Sequence, residues 1–344
     1  MPKKPARLTG ENRLIQLLQD RYQIRHPLVK KGIGDDAAVI RPGNDAEYWV
    51  ITTDMLLENI DFRQQWITPR LLGFKSLAVN LSDLAAMGAR PRCFTVSLAL
   101  PGGLSERWIL DFYDGLAELG GPAGALLIGG DFSSTRGGIA ISITALGESL
   151  NRKVLYRSGG RVGDFLFVTG TLGKSAAGLR LLEKGCGHSR SGPQREAIQA
   201  QQKPEPRCEE GLWLAQSGMI HCMMDLSDGL SMDLPRMCTA SAVGAEIDAA
   251  CLPVFAEAAS WGLNPVNLAL HGGEDFELLF AVPGSKAGLL EKSYPARFAG
   301  ITRIGKFIRE PDTVWIHETG KHPRRLREEG YDHFRQRTLP GNEG

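Results

Sequence analysis

Acidic residues beside hydroxyls and glycines recur along this chain. "KGIGDDAAVI" sets Asp35 and Asp36 side by side in a Gly-bearing turn, and "ITTDM" supplies Thr52, Thr53 and Asp54. "IGGDFSS" gives Gly129, Gly130 and Asp131, "MDLSDGL" gives Asp225, Ser227 and Asp228, and "HGGEDFELLF" gives Gly272, Gly273, Glu274 and Asp275. Each stretch alone reads as an Asx turn or a helix cap. Gathered in space, so many carboxylates would repel one another unless cations joined them. The donors are oxygens, which points to Mg²⁺ rather than zinc. Mg²⁺ commonly bridges carboxylates to substrate phosphates, so the pattern leads to nucleotide-phosphate chemistry with several metals.

The elements that must position these residues alternate between strand and helix. "PRLLGFKSLAVNLSDLAAMGA" predicts a long helix that starts near Pro69 and stops near Gly88. Ser76, Asn80 and Asp83 fall at i, i+4 and i+7 and form a polar stripe within an otherwise apolar surface. A helix apolar on most sides is buried, so the stripe needs partners. For Ser76 the expected partner is a neighbouring strand. For Asn80 with Asp83 a metal or ligand is at least as good a reading. "AAVI", "YWVITT", "RCFTVSLAL", "ALLIGGDFS" and "GIAISITALGES" read as strands, and "SERWILDFYDGLAELG" as a helix with Ser105 at its N-cap. That reading sets the acids of "ITTDM" and "IGGDFSS" at strand ends.

A polar, Gly-rich break at 151–163 divides the chain into 1–150 and 151–335, with a tail over 336–344. Beyond the break the strand and helix pattern restarts with "DFLFVTG", "KSAAGLRLLEKG", "HCMMDLSDGLSMDLPRMCTA", "DFELLFAVP" and "ITRIGKFI". The stretch 186–205 reads as a polar surface loop. The class is therefore α/β, in two domains.

Composition narrows the function. The 344 residues carry a net charge of +1, which gives no cationic field for nucleic acid or an anionic membrane. No apolar run approaches the ~20 residues of a membrane helix, and "MPKKPARLTG" is no signal peptide. The six cysteines form no CxxC pair and read as buried, reduced thiols of a cytoplasmic protein. The seven histidines show no metal-binding spacing. "TGTLGKSAAG" imitates a P-loop, but Val168 stands where its first Gly is needed. It reads as a helix N-terminus that could still face an anion. "GIGDDA" lacks the third Gly of a dinucleotide fingerprint. Its "GDD" resembles a polymerase signature, which the neutral charge disfavours.

Taken in order, "GIGDDAAVI", "TTDMLLENIDF", "KSLAVNLSDLAAMGARP", "IGGDFSS", "YRSGGRVGDFLFVTGTLGKSAAGL", "MDLSDGLSMDL", "HGGEDFELLF" and "GYDHF" resemble the thiamine-monophosphate kinases. That family lies within the wider aminoimidazole ribonucleotide synthetase superfamily. The resemblance runs from Gly32 to Phe334. It implies an α+β N-terminal domain whose sheet forms a barrel across a homodimer, and an α/β C-terminal domain that completes the site. It implies transfer of the ATP γ-phosphoryl group to thiamine monophosphate, giving thiamine diphosphate. It implies several Mg²⁺ ions, no phosphoenzyme and no assigned general base. On the resemblance, Asp36, Thr52, Thr53, Asp54, Asp83, Asp131, Asp225 and Asp228 are metal ligands. Tyr113, Gly130, Asp131, Arg157 and Ser227 are ATP contacts, and Glu274 and Tyr331 touch the thiamine moiety. Asp61 stands where the family usually has His, and it is carried over as a substrate contact that would face the cationic thiazolium.

Three other readings compete. An ATP-dependent synthetase of a purine intermediate is disfavoured by "NLSDLAAMGA" and "GYDHF". A metal- and nucleotide-binding regulator without turnover needs no full set of acids. A structural Ca²⁺ protein is disfavoured by the lack of an EF-hand loop.

Overall fold

The computed structural model describes residues 10–22, 24–43, 46–187 and 192–334, so the 336–344 tail lies outside the described residues. The first half builds one sheet. After helix α1 (Glu11–Tyr22) come strands β1 (Val29–Lys31), β2 (Ala38–Ile40) and β3 (Trp49–Leu57). Helix α2 (Pro69–Ala86), β4 (Arg90–Pro101), α3 (Glu106–Ala123), β5 (Leu126–Thr135) and β6 (Ala140–Glu148) follow. The strand order is β1-β2-β3-β6-β4-β5. All neighbours are antiparallel except β4 and β5, which α3 connects as a parallel crossover.

The second half builds another sheet. It contains β7 (Phe165–Thr169), α4 (Lys174–Glu183), α5 (Gly192–Gln202), α6 (Cys208–Ser217), β8 (Cys222–Leu226) and α7 (Leu230–Ser241). Then come β9 (Gly244–Asp248), α8 (Pro265–His271), β10 (Glu277–Val282), α9 (Gly284–Ser293), β11 (Ile301–Ile308), β12 (Val314–His317) and β13 (Arg324–Arg325). The order is β13-β12-β9-β11-β7-β10-β8, and only β9 and β12 pair in parallel. The architecture is mixed α/β with two sheets.

Helix α2 joins the two halves. Thr68 caps it by accepting from the Leu71 N–H at 3.3 Å, and Pro69 occupies the first turn. Fourteen of its eighteen residues are buried. Leu72, Leu77, Leu81 and Leu84 enter the core of the first sheet. Ala85 and Ala86 pack instead with Phe167, Met223 and Phe280 of the second. A helix with cores on both sides has no solvent face, which explains its apolar composition. Ser105 caps α3 as its sequence predicts, accepting from the Trp108 N–H at 3.2 Å.

Three expectations change. Strand β3 does not stop after Thr53: it pairs with β6 from Trp49 to Leu57, so Thr52, Thr53 and Asp54 sit mid-strand. Asp131 likewise lies within β5, opposite Ser97. The 186–205 stretch is no simple loop, because it carries α5, which buries Ala197, Ile198 and Gln201 against α4 and its neighbours. Of the cysteines, Cys222 and Cys238 are buried and Cys251 is exposed.

The α2–α3 contact depends on two glycines. A Cβ at Gly73 would lie 1.9 Å from the Phe112 carbonyl oxygen, and one at Gly115 would lie 1.8 Å from that of Arg70. Backbone cannot yield as a flexible side chain can. Gly115→Val should therefore cost at least the ~1–3 kcal/mol of an overpacked core. Chemical denaturation measures this, and an unchanged midpoint would refute the close packing.

Candidate active site

Four elements bring carboxylates to one place between the two sheets. The turn before β2 carries Asp36, α2 carries Asp83, β8 carries Asp225 and β3 carries Thr52 and Asp54. One carboxylate oxygen from each of Asp36, Asp83 and Asp225 lies within 4.8 Å of the other two. Asp36 and Asp225 are buried and Asp83 is nearly so. The Thr52 hydroxyl donates to Asp83. The Ser82 hydroxyl donates to Asp225 at 2.7 Å and joins the two halves there.

The adjacent acids of "GIGDDA" divide their work. Asp35 accepts from the Arg157 and Asp36 backbone N–H groups, at 3.1 and 3.2 Å, and pairs with Lys31 at 2.8 Å. It builds the turn. Asp36 faces the cluster. Arg157 donates to its Oδ1 from Nε at 3.0 Å and Nη2 at 2.5 Å. The Asp36 Oδ2 atom is buried with no hydrogen-bond partner. An orphaned carboxylate oxygen beside two more carboxylates, with hydroxyls as neighbours, suits a hard divalent cation. The donor set fits Mg²⁺.

Electrostatics report the same strain. Burial, then the charges of Asp54, Asp225 and Asp36, raise Asp83 well above the ordinary value of 3.8. Burial, then Asp36, raise Asp225 well above it too. Burial raises Asp36, with Arg157 opposing. Burial, then Asp61, push Asp54 up to about 6. Burial works against the Arg157 charge, yet the Asp36 carboxylate beside it carries its pKa above the usual value.

Residues around the cluster follow from strand and helix geometry. Side chains alternate along β3, so Thr52 and Asp54 face α2 while Thr53 faces the other way. The Thr53 hydroxyl donates to the Ile143 carbonyl at 3.1 Å. Asp131 shares that second face: it lines a shallow groove with Met55, Ser97 and Ser142. Three strand spacings, about 14 Å, separate β5 from β3. One chain therefore does not bring Asp131 to Asp36, Asp83 and Asp225. Gly130 packs flat on β4, where a Cβ would lie 2.0 Å from the Val96 carbonyl oxygen. Tyr113 of α3 stands beside Phe132, with ring centroids 6.3 Å apart. Within α2, Ser76 donates to the Leu72 carbonyl of its own helix rather than to a strand. Asn80 accepts from the Asp54 backbone N–H at 3.2 Å and pins β3 to α2.

A second polar group forms at the start of α7. Asp228 pairs with Arg236 at 2.5 Å, and Arg236 also holds Asp233 at 2.8 Å. The Tyr331 N–H donates to the Asp228 carbonyl at 3.2 Å, which lays the "GYDHF" segment against the site. Asp61 accepts from the Leu57 N–H at 2.7 Å, and burial raises its pKa. Glu274 donates its backbone N–H to the Ser227 carbonyl at 2.7 Å.

Several participants have no place in the sequence expectations. Lys75, only 2% exposed, pairs with Glu274 at 2.7 Å. Gln201 of α5 donates to the other Glu274 oxygen at 2.5 Å. A lysine inside the apolar run of α2 is a readable signal, whereas nothing local marks Gln201. The P-loop-like helix start of α4 does not face an external anion. Asp275 accepts from the Gly173 and Ser175 N–H groups at 2.6 and 3.2 Å and fills that position.

Known proteins share this architecture. The family described as "AIR synthase related protein, N-terminal domain" matches residues 34–149, and the corresponding C-terminal domain matches 161–317. The chain is similar to thiamine-monophosphate kinase of Bacillus subtilis, at 34% identity over 91% of this chain and 96% of the relative. It is 38% identical to that of Escherichia coli over 94% of this chain and 98% of the relative. Among solved structures, "AaThiL complexed with AMPPCP and TMP" superposes with a TM-score of 0.81 at 29% identity, covering 95% of this chain and 99% of that one. The thiamine-monophosphate kinase of Stenotrophomonas maltophilia superposes with a TM-score of 0.73 at 34% identity, covering 90% and 95%.

A pH test reads the cluster directly. A carboxyl group whose folded pKa lies above its unfolded 3.8 keeps a proton that the unfolded chain has lost. For Asp54, folding stability is thus lost as pH rises from about 4 to about 6. A divalent cation held by the cluster offsets that loss. Mg²⁺ should raise the Tm of chelator-treated protein, and by more near pH 7.5 than near pH 5. An equal Mg²⁺ effect at both pH values would rule out these carboxylates as its site.

Proposed function

The chain belongs to the thiamine-monophosphate kinase family, and from that premise we propose that it transfers the γ-phosphoryl group of ATP directly to the phosphate of thiamine monophosphate. The products are ADP and thiamine diphosphate. The observation that carries this reading is the convergence of Asp36, Asp83 and Asp225, with an orphaned oxygen, at the junction of the two halves. The relatives named for this activity match 91% and 94% of this chain.

Two anionic phosphates must be brought together, so the reaction asks for neutralisation and in-line positioning more than for proton transfer. Mg²⁺ ions held by Asp36, Asp83 and Asp225, with Thr52, Asp54 and Asp228 nearby, would supply the neutralisation. Arg157 sits against Asp36 with its guanidinium 20% exposed, where it can also hold phosphate oxygens. Ser227, at the turn into α7, is assigned to the nucleotide by the family resemblance. No side chain is needed as general base. Glu274, Asp61 and Tyr331 form the acceptor side, where carboxylates suit a cationic thiazolium and an amino group.

Of the nucleotide residues, Gly130 and Asp131 lie on β5 and Tyr113 stands beside it on α3, apart from the cluster. A homodimer resolves the separation. Among the described residues strand β5 is a sheet edge, paired only with β4, and it exposes Leu126, Leu127, Ile128 and Phe132 at 67, 46, 64 and 57%. Long apolar edges are pairing surfaces. In this reading a second copy closes the sheets into a barrel and carries Asp131 and Thr53, which share its inner face, to a joint Mg²⁺ site. Among the described residues no helix is long and apolar enough to cross a membrane. We place the reaction in the cytoplasm, where ATP and reduced cysteines coexist.

Purified protein with Mg·ATP and thiamine monophosphate should form thiamine diphosphate, followed by chromatography. Folded protein that gives no product at any Mg²⁺ concentration would defeat the assignment. Asp54→Asn keeps the backbone bond to Asn80 and removes a charge that costs stability, so it should keep or raise the Tm of metal-free protein at neutral pH, yet lower turnover by about 100-fold or more. Near-normal turnover would remove Asp54 from the metal set. Ile128→Lys should yield monomers by sedimentation and abolish activity, because Lys at a sheet edge blocks pairing. An active wild-type monomer would overturn the dimer.

A further inference from the structure

Glu274 is held from three directions, and one of its holders, Gln201, lies outside every motif. Its backbone sits at φ +64°, a left-handed conformation unusual for a non-glycine residue. Its N–H is fixed on the Ser227 carbonyl. The Lys75 ammonium meets Oε1 at 2.7 Å and the Gln201 amide meets Oε2 at 2.5 Å. Behind Gln201, the Ser175 hydroxyl donates to its amide oxygen and fixes which end of the amide faces Glu274. Lys75 and Gln201 are 2% and 6% exposed, while the Glu274 side chain keeps 28%.

The expense of this arrangement needs a reason. Burying an ammonium is costly unless an anion meets it. Here the anion is no core residue but one on the open acceptor side, in a strained backbone. A carboxylate has about four lone-pair directions. With one donor fixed on each oxygen, a further acceptor direction on each remains in a single defined plane. Such a plate suits a flat cationic or amino-bearing heterocycle, for which orientation matters more than charge.

We propose that Lys75 and Gln201 are positioning residues that clamp Glu274 in the orientation that receives the heterocycle of the acceptor substrate. The proposal rests on the kinase reading above and deepens it. Lys75 comes from α2 and Gln201 from α5, so the clamp spans both halves of the chain. It ties the acceptor side to the helix that carries Asp83. Neither residue touches substrate in this account, and each acts through Glu274.

The test separates positioning from structure. Lys75→Met removes one donor and Gln201→Leu the other. Each should raise KM for thiamine monophosphate at least tenfold, with KM for ATP changed less than about twofold. Lys75→Arg, which restores a cation, should recover part of the loss. The same ratio should appear in calorimetric binding of thiamine monophosphate. Unchanged KM for thiamine monophosphate in folded variants would overturn the clamp. So would equal rises in both KM values, which mark a general structural defect. If Lys75→Met does not fold, Gln201→Leu decides by the same ratio. A wild-type protein that neither binds nor converts thiamine monophosphate defeats the kinase reading and the clamp with it. A wild type that converts it, with variants that do so equally well, defeats the clamp alone.

Discussion

Carboxylates that cannot comfortably share a buried space govern this structure. Asp36, Asp83 and Asp225 each bring an oxygen to one small region; burial raises all three pKa values, and the charges of neighbouring cluster carboxylates raise those of Asp83 and Asp225 further. Arg157 answers only one oxygen of Asp36. An arrangement that costs stability persists where the cost serves a function. The repulsion is also why an all-oxygen cluster reads as a place for hard cations rather than as a set of ordinary turns.

Holding repelling groups together requires rigid supports, and α2 is the main one. It is buried along both cores, so its polar side chains have no solvent to turn to. Each finds a definite partner: Ser76 its own helix, Asn80 the backbone of β3, Ser82 the Asp225 carboxylate, Lys75 the Glu274 carboxylate. These bonds reach both sheets, so the helix sets the distance between the halves that the site needs. Pairing of β3 with β6 along its full length supplies the second rigid support.

The same physics explains a misleading motif. The "TGTLGKS" start of α4 has the free N–H groups that an anion would seek. The chain supplies its own anion, Asp275, whose carboxyl is pushed up to about 7 by burial against the pull of two backbone donors. The two adjacent acids of "HGGEDF" thus part company. Glu274 faces the acceptor side, and Asp275 turns back to seal a helix.

Local and family-level features were legible in the residues alone. Thr68 and Ser105 cap the helices they precede, α2 is apolar around most of its circumference, and the acid-bearing motifs stand in the order of one kinase family. These depend on residues a few positions apart, or on patterns that need no geometry. Tertiary structure decided the rest. Pairing with β6 extended β3 past Asp54 and turned Thr52 and Thr53 to opposite faces. Packing on α4 made a helix of the polar 192–202 segment. The family resemblance already singled out Asp36 over Asp35, but the contacts that divide the two acids come from Arg157, more than a hundred residues away. Lys75 and Gln201 meet at Glu274 for the same reason. Contacts between distant segments are set by which faces the two sheets bury together, and no short stretch of sequence records that.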